Sequence, residues 1–97
     1  MGNIVDAKAY RIAEDFVKSS KKAFAEKIAR NTVKDIDVSE GKQDEAYTAA
    51  ARFVLTGSVE TSSPTGKPRT YGYHATVDVV GKKASLVELK VDPLDID

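Results

Sequence analysis

The single histidine of the chain, His74, is the first candidate for chemistry. It stands in an alternating segment in which Thr76 and Asp78 fall on the same side. A histidine beside a carboxylate can act as a general base, because its pKa lies near neutrality. The chain has no cysteine, however, and no serine stands in a nucleophile-elbow sequence. We therefore expect an exposed strand histidine, with no catalytic residues, no cofactor and no enzyme activity.

A second candidate is the pair of basic residues Lys67 and Arg69, which follow Gly66 in a proline-rich segment. The segment lacks the second glycine and the Ser or Thr of a P-loop, and no helix is predicted after it. It can contact an anionic partner or simply connect two strands through solvent. We favour the connection, because loops are polar whether or not they bind.

The acidic run from Asp35 to Glu45 resembles a calcium loop, which needs oxygen ligands at positions 1, 3 and 5, glycine at 6 and glutamate at 12. Counted from Asp35, Gly41 and Glu45 are each one residue out of place. Ile36 and Val38 also alternate with acids, as in a strand. We expect solvated charges and no metal.

The composition limits the class of partner. Fifteen basic and fifteen acidic residues give the 97-residue chain a net charge of zero, so nucleic-acid binding is not expected. No stretch approaches the roughly 20 apolar residues of a membrane span. We expect a soluble single domain over residues 1–97, with an extracytoplasmic location open if a signal or lipid anchor has been removed.

Residues of about 4–30 are predicted to form one long helix. Apolar residues recur at three- and four-residue steps, and no glycine or proline interrupts them. The weak point is Ser19-Ser20, where the helix bends or restarts. The predicted buried stripe consists of Val5, Ala9, Ile12, Ala13, Phe16, Ser20, Ala23 and Phe24, widened by Tyr10, Val17 and Ile28.

Strands are predicted at about 33–39, 46–60, 70–80 and 85–91, with a turn at 40–44. Between Tyr47 and Val79 the apolar residues fall on odd numbers, so each long strand buries one face. The same reasoning places Ser85, Val87, Leu89 and Val91 on one face of the last strand. Gly57, on the buried face, indicates a bulge or bend.

A helix followed by an antiparallel meander predicts a two-layer α+β domain, with the helix on the odd-numbered face. The even-numbered face, which includes Arg52 and His74, is then polar and open to solvent. Tyr71 and Tyr73 point into the layer between sheet and helix. There they either pack in the core or line a ligand pocket.

Three segments of the sequence form a recognisable combination. Phe16-Val17-Lys18 lies late in the predicted helix, a polar loop and a tyrosine-rich strand follow, and residues 86–92 read Leu-Val-Glu-Leu-Lys-Val-Asp. This resembles a group of small bacterial and phage-encoded proteins, many of them exported or lipid-anchored. The resemblance implies a curled, cystatin-like sheet and no particular activity. Cystatins inhibit proteases through a Gln-x-Val-x-Gly hairpin, which residues 61–69 lack.

The expected function is therefore a non-enzymatic binding or interaction domain. Its partner is an unknown protein or a second copy, held through the sheet face or edge. The alternative is a small-ligand or enzyme-like domain with a pocket between sheet and helix. The candidate binding residues are Arg52, Lys67, Arg69, Tyr71, Tyr73 and His74.

Overall fold

Two helices precede a four-stranded antiparallel sheet in a computed structural model that describes residues 4–28 and 30–93. The predicted α+β class is confirmed. The ends of the predicted 1–97 domain, residues 1–3 and 94–97, and Ala29 of the predicted helix lie outside the described residues. The elements are α1 (Ala7–Lys18), α2 (Lys21–Lys27), β1 (Thr32–Gln43), β2 (Ala51–Ser62), β3 (Pro68–Val80) and β4 (Lys83–Pro93).

The prediction of one long helix is wrong, because the chain breaks at the two serines. The hydroxyl of Ser19 donates to the carbonyl of Asp15 at 2.9 Å, and that of Ser20 donates to the carbonyl of Phe16 at 2.6 Å. The Ser19 amide still bonds the Asp15 carbonyl, but the Phe16 carbonyl accepts from the Ser20 hydroxyl, while the Ser20 amide bonds the carbonyl of Val17 instead. The helix therefore ends at Lys18 and restarts at Lys21.

The strands follow one another in the sheet in the order β1-β2-β3-β4. β1 is longer than predicted, since Glu40, Gly41 and Lys42 pair with β2 instead of turning. β2 begins later than predicted, because Asp44 closes a turn by accepting from the amide of Tyr47 at 3.3 Å. β3 and β4 each extend beyond their predicted bounds.

Three irregularities shift the register. On β1, Lys34 and Ser39 each have no partner in the pairing with β2, and on β4 Val87 has none in the pairing with β3. Each inserted residue turns the side chains beyond it to the opposite face. On β4 the predicted face is right for Leu89 and Val91 and wrong for Ser85 and Val87. Ala84, Leu86, Leu89 and Val91 pack against the core, while Val87 is 48% exposed.

The odd-numbered side chains of β2 and β3 form the core with the helices, as predicted. Phe53, Leu55, Ala75 and Val77 are completely buried. From the helices, Ala9, Ala13, Val17, Phe24 and Ile28 are buried. Val5, predicted in the stripe, is 67% exposed because it precedes α1.

Gly57 marks the closest approach of β2 to β1, next to the irregularity at Ser39. A Cβ at position 57 would overlap the carbonyl oxygen of Asp37. Glycine is needed there for space, which agrees with the predicted bulge.

Within residues 4–28 and 30–93, no helix has the length and apolar character needed to cross a membrane.

Candidate functional site

The helices leave one face of the sheet uncovered, and we call it the outer face. Its side chains are mainly polar, as predicted for the even-numbered positions of β2 and β3. The irregularities in β1 and β4 add charged residues from both edge strands. The outer face includes Arg52, Val54, Thr56, Ser58, Glu60, Thr70, His74, Thr76 and Asp78 from the central strands, and Glu40, Lys42, Glu88 and Lys90 from the edges.

Two neighbouring rows cross all four strands at the centre of this face. The first row runs from Glu40 on β1 to Lys90 on β4, and the second runs from Lys42 to Glu88. The acidic residue is therefore on β1 in the first row and on β4 in the second, and the basic residue is on the other edge strand in each row. The rows are Glu40–Thr56–His74–Lys90 and Lys42–Val54–Thr76–Glu88; we call them the charged rows.

Two open depressions border His74. One has a volume of about 370 Å³ and is lined by Glu40, Lys42, Val54, Thr56 and His74. The other, of about 330 Å³, lies beside Gly72, whose missing side chain leaves the surface low. Both are near the lower end of the volumes of small-ligand pockets, but they are open rather than enclosed.

The carboxylate of Asp78 is held by Arg52 instead of His74. Arg52 donates from Nε at 2.7 Å and from Nη2 at 2.9 Å, and this hydrogen-bonded pair raises the pKa of the guanidinium. The guanidinium also lies 3.7 Å from the ring centre of Tyr47. His74 is four positions away on β3, about 13 Å along an extended strand, and is exposed. The arrangement of a histidine base beside Asp78 does not form.

Tyr73 is part of the core, which answers whether it packs or lines a pocket. It is 2% exposed, its ring meets Phe24 edge-to-face at 4.9 Å, and its hydroxyl donates to the carbonyl of Asp37 at 2.7 Å. Burial, with a smaller contribution from the Asp37 carboxylate, raises the pKa of this phenol. The hydroxyl is thus engaged in a structural bond.

Tyr71 lies near the opposite end of β3 from Asp78, and its hydroxyl accepts from the Asn31 amide at 3.3 Å. Arg69 lies over its ring, 5.8 Å from the centre. Lys67 belongs to the tight turn before β3, where its carbonyl accepts from the amide of Ser63 at 2.8 Å.

The six predicted binding residues therefore do not form one site. Arg52 is near one end of the sheet, His74 is central, and Lys67, Arg69 and Tyr71 are at the other end, while Tyr73 is buried. Of the six, only His74 lies in the charged rows. The sequence-based prediction missed Glu40 and Lys42 because they were placed in a turn. It also missed Glu88 and Lys90 because the polar face was assigned for the two central strands alone.

A larger cleft, of about 960 Å³, lies between the start of α1 and the turn at Gly81. Its rim carries both signs of charge, from Lys8, Arg11 and Asp15 among others. Asp6 at this end is occupied as the cap of α1, accepting from the amide of Ala9 at 3.0 Å. The cleft therefore has no single charge preference.

Asp35, Asp37 and Glu60 form an exposed acidic cluster whose carboxylate oxygens lie within 4.8 Å of one another. Two of these residues belong to the calcium-like pattern, but Glu60 comes from the neighbouring strand and not from that loop. Exposed acids of this kind are common on sheet surfaces, and we assign no metal to them.

Comparison of the chain with protein-family models, with curated proteins and with solved structures found no match.

Proposed function

We propose that this protein is a non-enzymatic interaction domain that binds another protein through the outer face of its sheet. The observation that supports it is the pair of charged rows, which present acidic, hydroxyl, imidazole and basic groups together. Strands hold the backbone of these residues at fixed spacings, so little backbone ordering is required on binding. Mixed charges at fixed positions favour recognition by charge complementarity over general attraction to a polyanion.

The non-enzymatic part of the proposal rests on the groups that catalysis would need. The carboxylate nearest in sequence to His74 on its own face, Asp78, is paired with Arg52. The phenol of Tyr73 is bonded to the main chain of β1. Among residues 4–28 and 30–93, His74 therefore has no hydrogen-bonded carboxylate of the kind that orients a histidine base.

The resemblance to small bacterial and phage-encoded proteins adds a second part to the proposal. In that reading the sheet is curled in the cystatin manner, and the protein acts by binding, with no protease-inhibitory hairpin. A location outside the cytoplasm fits the group, whose members are often exported or lipid-anchored.

Photo-crosslinking tests the surface directly. A photoreactive phenylalanine analogue placed at position 74 reports on the charged rows. The same analogue at position 22, exposed on α2, is the matched control. In cells of the source organism we expect position 74 to give discrete cross-linked species, identified by mass spectrometry, and position 22 to give none of them. Equal yields at both positions, with both variants folded, would contradict the proposal.

A second candidate function is small-ligand binding at the depressions beside His74, which their volumes of about 330 and 370 Å³ favour. NMR screening with a library of small polar compounds distinguishes it. Shifts confined to His74, Thr56 and their neighbours support ligand binding, and an unchanged spectrum argues against it.

A further inference from the structure

β1 and β4 are the two edges of the sheet, and within the described residues no further strand pairs with the outer side of either. An unpaired edge presents main-chain donors and acceptors to another strand. β4 has one irregularity, at Val87, whereas β1 has two. Val87 itself is 48% exposed.

Glu88 and Lys90 lie on the same face of this open edge. Their charged groups are 4.0 Å apart, and their side chains are 59% and 68% exposed respectively. A pair so exposed contributes little within one chain. Both groups are therefore available to charges on a neighbouring strand.

Pairing of β4 with β4 of a second copy is restricted by symmetry. When the twofold axis of an antiparallel dimer is perpendicular to the sheet, the outer faces of both copies lie on the same side. One residue of β4 must then lie at the axis, directly opposite the same residue of the partner subunit; we call it the centre. A centre at Glu88 or at Lys90 sets like charges opposite each other. A centre at Leu89 or at Val91 places oppositely charged residues opposite each other. The centre at Val91, however, pairs only residues 89–93 of the described strand.

We propose that two copies of the chain associate through β4, with Leu89 opposite Leu89 of the partner subunit. Glu88 then faces Lys90 of the partner subunit, and the symmetry repeats this pair. The result is an eight-stranded sheet with the helices of both copies on one side. The inference rests on the proposed function, because Glu88 and Lys90 belong to the charged rows, and it names a second copy as the partner.

The rest of the strand fits the same register. If Val87 is skipped, as it is in the pairing with β3, Leu86 faces Val91 of the partner subunit. Both residues pack on the core side. Ser85 then faces Asp92 of the partner subunit on the outer face, so each pair from Ala84 to Pro93 keeps to one face.

Head-to-tail pairing of β4 with β1 of another copy is the competing arrangement, because β1 carries Glu40 and Lys42 at the same spacing. It would generate an open chain of subunits instead of a closed dimer. Each charge pair follows an unpartnered residue, Ser39 on β1 and Val87 on β4, but β1 has a second one, Lys34.

Sedimentation velocity on purified protein, from about 10 µM to about 1 mM, tests the inference, since edge interfaces are small and their affinity modest. We expect the wild type to form a dimer. Glu88→Lys and Lys90→Glu each replace two attractive pairs with two repulsive ones, so each raises the dissociation constant roughly tenfold or more. The double variant restores the pairs with their order reversed, and we expect it to dimerise like the wild type.

The matched controls are Glu40→Lys and Lys42→Glu on β1, which we expect to leave the dimer unchanged. Loss of association in these controls would establish head-to-tail pairing and overturn the inference. A wild type that is monomeric throughout, or single β4 variants that dimerise normally, would also overturn it. If one single variant fails to fold by circular dichroism, the other single variant decides.

Failure here is distinguishable from failure of the proposed function. A monomer that still gives specific cross-links from position 74 overturns the dimer and leaves an interaction domain with a different partner. A monomer with no specific cross-links overturns both.

Discussion

The edge strands β1 and β4 carry the same charge pair, Glu40 with Lys42 and Glu88 with Lys90, but they are attached to the molecule differently. β1 has specific side-chain contacts with three other elements or segments. β4 is held by the ladder to β3 and by the core packing of Ala84, Leu86, Leu89 and Val91. The difference separates a protected edge from an available one.

Each attachment of β1 is visible in a specific contact. Tyr73 crosses β2 above Gly57 and donates to the carbonyl of Asp37 at 2.7 Å. The ring of Tyr10 lies over Gly41, where a Cβ would overlap it. Gln43 accepts from the amides that precede α1, at 2.8 and 3.0 Å.

Natural sheets blunt their edges with bulges, charges and coverage by other elements. β1 has two bulges, whereas β4 has one bulge and an exposed valine. Both edges carry exposed charges and contact the helices. This contrast explains why charge pairs of equal spacing are expected to have unequal roles.

The largest expected effect comes from a charge placed on the core side of β1. Ile36→Asp buries an unpaired carboxylate at a position that is 3% exposed, so we expect a loss of about 4 kcal/mol or more. That loss is enough to unfold a small domain. Val87→Asp on β4 is its control, with a change in monomer stability within about 0.5 kcal/mol. Urea unfolding of dilute protein measures both, and equal losses would contradict the assignment of the two edges.

A smaller loss is expected at the contact between β1 and β2. Gly57→Ala forces the Asp37 carbonyl away, and overpacking of this kind costs about 1–3 kcal/mol. Ser58→Ala, one position along on the outer face, is expected to change the free energy of unfolding by less than about 0.5 kcal/mol. Similar losses for the two variants in thermal unfolding would argue against the close approach at Gly57.

The smallest effect is that of removing the Tyr73 hydroxyl. Tyr73→Phe loses the bond to Asp37, and we expect a decrease of about 1 kcal/mol in the free energy of unfolding at neutral pH. No decrease, measured in urea, would show that the bond contributes nothing to holding β1.

The same variant has a pH signature. Burial raises the pKa of Tyr73 above its unfolded value of roughly 10, so only the unfolded state ionises at first as the pH rises. The stabilising effect is complete below that pH and is lost above it. We expect wild-type stability to fall more steeply above about pH 10 than that of Tyr73→Phe. Parallel curves would contradict the assigned environment.

The central strands β2 and β3 could be predicted well from the sequence. Apolar and polar residues alternate strictly in a strand that has a neighbouring strand on each side. Leu55 and Ala75 are buried, and Thr56 and His74 are on the opposite face, as the parity required. The bend or restart expected at Ser19-Ser20 lies where α1 ends and α2 begins.

The edges were predicted poorly for a physical reason. A bulge inserts one residue where neighbouring strands separate, and nothing in the local pattern of Val87 or Ser39 marks it. Gly41 and Lys42 read as a turn by composition, but pairing with β2 holds them in a strand. The candidate site depends on these edges, so its four outer charges were missed.

Amide hydrogen exchange at low and high protein concentration distinguishes association through β4 from association through β1, because it reports on both edges in one experiment. We expect amides of β4 between Ala84 and Asp92 to exchange more slowly as the concentration rises, and those of β1 not to change. Slowing along β1, or no dependence on concentration at either edge, would contradict association through β4.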